Sequence, residues 1–223
     1  MPEAGAIVLT LQLATMTTVV LLLLGTPFAW WLANTRSRAK PVLEALTAMP
    51  LVLPPTVLGF YLLILMSPDS ALGAFWVQVT GSALTFSFSG LVVASVFYSL
   101  PFMVQPLQSA FEGVGRGPLE AAATLGASPL NAFFTVVVPL SVRGFLTATV
   151  LSFAHTIGEF GVVLMVGGNI PGETRVISIA VYEQVETLNY TQAHQLSAGL
   201  LVFSFVVLLA VYLANRRIPV RVF

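Results

Sequence analysis

With 223 residues, 57% of them hydrophobic and only 8% charged, the chain carries about a third of the charge of an ordinary water-facing domain, in which roughly 25% of residues are charged. A formal net charge of zero leaves no basic excess to neutralise phosphates and excludes a nucleic-acid partner. The absence of cysteine removes disulfides, thiolate metal sites and cysteine nucleophiles. What remains is an all-α integral membrane protein, one transmembrane domain over residues 1–223, with membrane lipid against its outer surface.

The chain opens Met1-Pro2-Glu3 with no basic n-region. Its first apolar run, residues 7–33, exceeds the roughly 7–15 residues of a signal h-region and is expected to persist as a span. Crossing about 30 Å of hydrocarbon takes about 20 apolar residues. Reading from charge to charge predicts five spans, over about residues 7–33, 46–66, 90–110, 144–166 and 196–215. Between the second and third, Ser67, Pro68, Gly73, Gly81 and Ser87 point to an external loop with room for a half-inserted segment. Residues 176–188 include Glu183 and Glu186 and are too short and acidic to span, which predicts a re-entrant or interfacial helix. With five spans, Arg36, Arg38, Lys40, Arg116, Arg143, Arg216, Arg217 and Arg221 share one side, and Arg175 alone lies on the other. The positive-inside rule then places the N-terminus outside and the C-terminus in the cytoplasm.

The cytoplasmic segment over residues 112–143 carries helical punctuation. Pro118 suits a first turn, with Glu120 near the positive end of the dipole, and Gly126 stands where a left-handed C-cap is needed. Ser128 then offers an N-cap with Pro129 at N1, and the second helix is expected to stop near Val138, before Pro139. Leu119, Ala122 and Leu125 have little local core to hide in. The residues alone allow either an amphipathic hairpin on the membrane surface or a protein-docking element.

Glu120-Ala121-Ala122, three residues, Gly126, nine residues and Val136-Val137-Val138-Pro139 together resemble the EAA loop of ABC-importer permeases. That family's pattern is EAA-x3-G-x9-I-x-L-P; here Val136 stands for Ile and Val138 for Leu. The resemblance implies a type I importer permease in the cytoplasmic (inner) membrane, working as a homodimer with two cytoplasmic ATPase subunits and an external oxyanion-binding protein. It further implies a coupling helix that seats in the ATPase through Glu120, Ala121, Ala122, Leu125, Gly126 and Pro139. ATP and Mg would be used by the partner, and no cofactor bound by this chain; no Gly-x4-Gly-Lys-Ser/Thr loop is present in the sequence. Leu51-Val52-Leu53-Pro54-Pro55-Thr56-Val57-Leu58-Gly59 is similar to a segment of molybdate-transporter permeases. So are Gly158-Glu159-Phe160-Gly161 and Asn169-Ile170-Pro171-Gly172-Glu173-Thr174-Arg175. Sulfate permeases share the Gly-Glu-aromatic-Gly element but usually lack the second run, so molybdate or its near-isostere tungstate is favoured over sulfate.

His155 and Glu159, spaced i, i+4, would share one face of the fourth span, either lining a translocation path or dimer seam, or fixing helix packing through a polar bond. They fall short of the three protein ligands of catalytic zinc, and neither HExxH nor GxSxG occurs. Pro54 and Pro55 either kink the second span for packing or, as the resemblance implies, shape a cavity or gate. Gly158 and Gly161 would allow close helix approach, with a role in gating, and Gly158 on the translocation path, as the further reading. The outer turn with Asn169, Pro171 and Glu173 either meets the binding protein or links two helices. A stand-alone channel or secondary transporter would not need the helical loop, and no convincing inverted repeat is seen.

Overall fold

The computed structural model describes residues 2–217, so Arg221 of the C-terminal basic cluster lies outside the described residues. Among those described there is no strand. The helices are α1 (Pro2–Asn34), α2 (Lys40–Ala48), α3 (Pro55–Met66), α4 (Ala71–Thr80), α5 (Phe88–Val114), α6 (Gly117–Thr124), α7 (Pro129–Ala132), α8 (Val138–Leu140), α9 (Val142–Gly158), α10 (Gly161–Gly167), α11 (Ile177–Glu186) and α12 (Tyr190–Arg217). A 3-10 turn, Met49–Leu51, extends α2, and a π-turn, Phe133–Val137, joins α7 to α8.

Two apolar clusters stacked along α1 and α5 hold the bundle. One joins Leu9 and Leu13 to Leu91 and Tyr98, with Leu58, Leu62 and Val162 packed in. The other joins Leu21 and Leu32 to Met103, Leu107 and Phe111, with Val137 and Ala148. Both helices enter the first cluster by their N-terminal halves, so they run parallel. α12 begins beside the start of α1, where Gln195 and Leu196 face Ile7 and Thr10, and it runs the same way. α9 and α3 run in the opposite direction. Lys40 meets Glu112 at one end of α5, and the Phe86 amide donates to the Val166 carbonyl at the other. Lys40 and the residues around it therefore sit at the end opposite Arg175.

Three helices, residues Ala4–Asn34, Phe88–Val114 and Tyr190–Leu213, are each long and apolar enough to cross a membrane. The second and fourth expected spans are not single helices. Over the second, Lys40–Leu51 and Pro55–Met66 meet at 111°; over the fourth, α9 ends at Gly158 and α10 begins at Gly161, while a separate bend of 75° joins Pro129–Leu140 to Val142–Gly158 ahead of that span. At the first bend Pro54 is extended, with φ −55° and ψ 133°, and Pro55 opens α3 as its first residue. The pair ends one helix and starts another, because each ring removes a backbone donor and biases the preceding residue away from helical ψ. The loop expected before the third span contains the apolar α4, capped by Ser70 Oγ accepting from the Gly73 amide at 2.9 Å.

Close approach of α3 to α10 rests on glycine. A Cβ on Gly59 would stand 2.8 Å from Met165 Cβ, and one on Gly161 would stand 2.7 Å from Pro55 Cβ. Gly158, expected to do the same, has nothing within 4 Å of such a Cβ. Gly59→Val should therefore overpack the contact, at a cost of about 1–3 kcal/mol, and lower the melting temperature in detergent. Gly158→Ala should leave that temperature unchanged.

Candidate functional site

The segment between α5 and α9 is an ordered helix-turn-helix. Gly115, at φ +68°, turns the chain out of α5, and Pro118 lies in the first turn of α6 with Glu120. Gly126 adopts φ +83°. Its amide donates to the Ala123 carbonyl, and the Ala127 amide donates to the Ala122 carbonyl, both at 3.0 Å. This six-to-one closure satisfies carbonyls that the helix end would otherwise orphan, and the left-handed residue it needs is cheapest as glycine. Ser128 Oγ then accepts from the Asn131 amide at 3.3 Å, the N-cap expected of it.

The second helix does not stop at Val138. The π-turn lets the Val138 amide reach back five residues to the Phe133 carbonyl, and the chain stays helical through Pro139 to Leu140. The wider turn shifts the carbonyls that the proline ring would otherwise strike. Burial also differs from expectation. Ala122 is 8% exposed, and Leu119 packs against the second core cluster. The apolar surface left open is Leu125 at 88%, Leu130 at 69% and Phe134 at 61%. The spacing of Leu130 and Phe134, i and i+4, was a legible sign of one shared face.

An aromatic base fixes this element to the bundle. Trp30 of α1 packs edge-on to Phe111 at 5.5 Å and against Phe133 at 5.3 Å. Phe111 in turn meets Phe145 of α9 at 5.7 Å. Such edge-to-face pairs contribute about 0.5–1.5 kcal/mol each beyond area burial. On the neighbouring flank, Lys40 pairs with Glu112 at 3.1 Å, and Gln108 Nε2 donates to Glu44 at 2.6 Å and Glu112 at 3.0 Å.

α9 carries 17 residues, about 25 Å at 1.5 Å per residue, before the helix breaks. Glu159 is extended (φ −74°, ψ 137°), so it does not share a helical face with His155. Its Oε1 instead accepts from the Val162 amide at 3.0 Å, and Ser178 Oγ of α11 donates to its carbonyl at 2.6 Å. The carboxylate thus occupies an amide at the start of α10, where the helix dipole favours negative charge. The Gly161 contact places Pro55 beside this break, so two interruptions of regular helix face each other.

His155 belongs to a different cluster. Its Nδ1 lies 3.1 Å from Ser99 Oγ of α5, which is also 3.0 Å from Thr156 Oγ1. The ring stacks on Phe102 at 4.0 Å. Ser99 and Thr156 went unnoticed in the sequence because a single hydroxyl in an apolar helix ordinarily bonds its own backbone. On the turn after α10 Asn169 Nδ2 donates to Glu183 at 3.1 Å, while Arg175 pairs with the same carboxylate at 2.5 Å. Pro171 and Glu173 are exposed. Beneath them, buried Thr174 Oγ1 donates to the Gly167 carbonyl at 2.7 Å and closes the turn.

Residues 25–220 match the family described as binding-protein-dependent transport system inner membrane component. The chain is 58% identical over 214 residues to a molybdenum transport system permease protein of Azotobacter vinelandii, covering 96% of this chain and 95% of that one. It is 38% identical over 186 residues to the protein so described in Escherichia coli (strain K12), covering 83% and 81%. Among solved structures, an inward-facing methionine ABC transporter superposes with a TM-score of 0.74 at 16% identity, covering 96% of this chain and 94% of that one. At that identity the likeness is one of fold.

The role of Glu159 as a cap is open to direct test. Glu159→Gln keeps an acceptor for the Val162 amide and should melt as the native protein does. Glu159→Ala should be destabilised by about 0.5–2 kcal/mol, the usual cost of a lost N-terminal side-chain cap, read as a lower melting temperature in detergent.

Proposed function

Because this chain belongs to the family of binding-protein-dependent transport system inner membrane components, we propose that it is the permease subunit of an ATP-driven molybdate importer. Nearly full-length similarity to a molybdenum transport permease supports the substrate. The structural observation that carries the coupling role is the exposed apex of Leu125, Leu130 and Phe134 on a capped, aromatically anchored helix pair. An apolar knob of this kind, at the end of the bundle where Lys40 meets Glu112, suits insertion into a cleft of a cytoplasmic ATPase.

The alternating helix directions support five crossings, by α1, α3 with the turn before it, α5, α9 with α10, and α12, with the N-terminus outside and the loop in the cytoplasm. Two copies of the chain and two ATPase subunits form the working unit, and an external binding protein delivers the oxyanion near Asn169, Pro171 and Glu173. ATP, with Mg, is hydrolysed by the partner. Closure of the ATPase pair displaces the apex, and the aromatic base passes the displacement to α1, α5 and α9 as one body. α9 delivers it to the Glu159 break, where Pro54, Pro55 and Gly158 form the gate. The anion path is left to hydroxyls and backbone amides, with His155 held beside it by Ser99.

Leu125→Glu tests the coupling role without touching the core, since that side chain is almost fully exposed. The variant should insert and melt normally yet lose about tenfold or more in affinity for the ATPase subunit, as expected of a buried interface anchor. Pull-down with the purified ATPase measures this, and normal binding by the variant overturns the docking assignment. Uptake of labelled molybdate into proteoliposomes holding the full transporter tests the substrate. Competition by excess tungstate but not sulfate is expected, and sulfate-driven uptake of equal efficiency would reassign it.

A further inference from the structure

The elbow between α1 and α3 holds features that the coupling reading does not use. α2 turns Leu43 and Thr47 toward the bundle, Leu43 packing on the second core cluster. Its other face is not polar, as a water-facing helix would be. Pro41, Val42, Ala45, Leu46, Met49 and Val52 line an open apolar groove that runs along α2 into the 111° bend. Val52 is 85% exposed. The turn that leads into α2, just ahead of Pro41 where the groove begins, carries Arg36 and Arg38. Both are exposed, and among the described residues neither has an ion-pair or hydrogen-bond partner. Lys40, beside them, is already committed to Glu112 and Glu44.

We propose that this elbow binds an anionic phospholipid, its headgroup phosphate on Arg36 and Arg38 and one acyl chain in the groove along α2. Two observations single out that occupant. The groove is apolar and would be unfavourable against water, at the margin of a bundle whose outer surface faces lipid. The two unpaired arginines in the turn that leads into it match a phosphate, which arginine engages with paired donors. A neutral apolar partner would leave them unused, and a water-soluble anion would leave the groove uncovered. Through the Lys40–Glu112 and Gln108–Glu44 contacts the same elbow is fastened to the last turns of α5, just before the segment that carries the exposed apex. The inference requires only that this end of the bundle lie at the membrane surface, and holds whether or not the apex docks an ATPase.

The test is native mass spectrometry of the delipidated full chain, re-equilibrated with a mixture of phosphatidylglycerol and phosphatidylcholine. Wild type should retain phosphatidylglycerol preferentially. Arg36→Gln/Arg38→Gln should lose that preference, by about fivefold or more for each arginine, with an unchanged melting temperature because neither side chain holds the fold. Arg116→Gln, at the same end but on the segment that leads into α6 instead of α2, should keep it. No headgroup preference in the wild type, or equal loss in Arg116→Gln, overturns the site in favour of diffuse charge. A Val52→Cys variant should not form disulfide-linked dimers in membranes under oxidant. Efficient linkage would mean that a second copy covers the groove and would equally overturn the proposal.

Discussion

Within a bilayer no water satisfies a backbone amide or carbonyl that a helix leaves free, so every interruption must bring its own partner. This constraint organises the molecule. At the Glu159 break the carboxylate takes the Val162 amide and Ser178 takes the Glu159 carbonyl. At the Pro54–Pro55 break the prolines have no amide to leave orphaned. At the turn after α10 Thr174 bonds both the Gly167 carbonyl and the Ile170 amide, and Thr10 of α1 accepts from the amide that opens α11 at 2.8 Å. In a chain so poor in polar groups, Thr10 and Thr174 are buried ones that serve backbone where regular structure stops.

In the proposed function the interruptions and the helix-turn-helix are the two ends of one mechanical path. α9 leaves the aromatic base at Phe145 and ends at the break that Pro55 adjoins. Tight glycine contacts at Gly59 and Gly161 leave no slack between α3 and α10, and close packing of this kind transmits displacement instead of absorbing it. Under the proposed coupling, a partner gripping the exposed apex would act through α9 on a stretch where the backbone can change direction without first breaking a continuous helix.

Composition and periodicity made the all-helical membrane architecture legible, and residue chemistry located the caps at Gly126 and Ser128, because those positions have local causes. The breaks were harder to see. Apolar content runs unbroken through residues 144–166, so hydropathy reads one span where the structure has α9, an extended Glu159 and α10. The i, i+4 spacing of His155 and Glu159 suggested a shared face only on the assumption of continuous helix. His155 found its partner on α5, a pairing between distant segments that one chain read in order does not reveal. The Gly158 expectation failed for a related reason: whether a small residue admits a neighbour depends on which helix passes it. Pro139 shows the converse, since a π-turn that no sequence rule anticipated keeps the helix going past a residue that usually ends one.

The indole of Trp30 lies edge-on against both Phe111 and Phe133, at the seam between the bundle and the segment that carries the apex. Its surroundings would stay constant if that segment and α1 move as one body and would change if they part, while the other two tryptophans, Trp31 and Trp76, lie outside this ring cluster. The protein therefore contains its own optical gauge. With Trp31 and Trp76 replaced by Phe, the emission of the remaining indole would report the posture of the apex in real time, in intact membranes and without any attached dye.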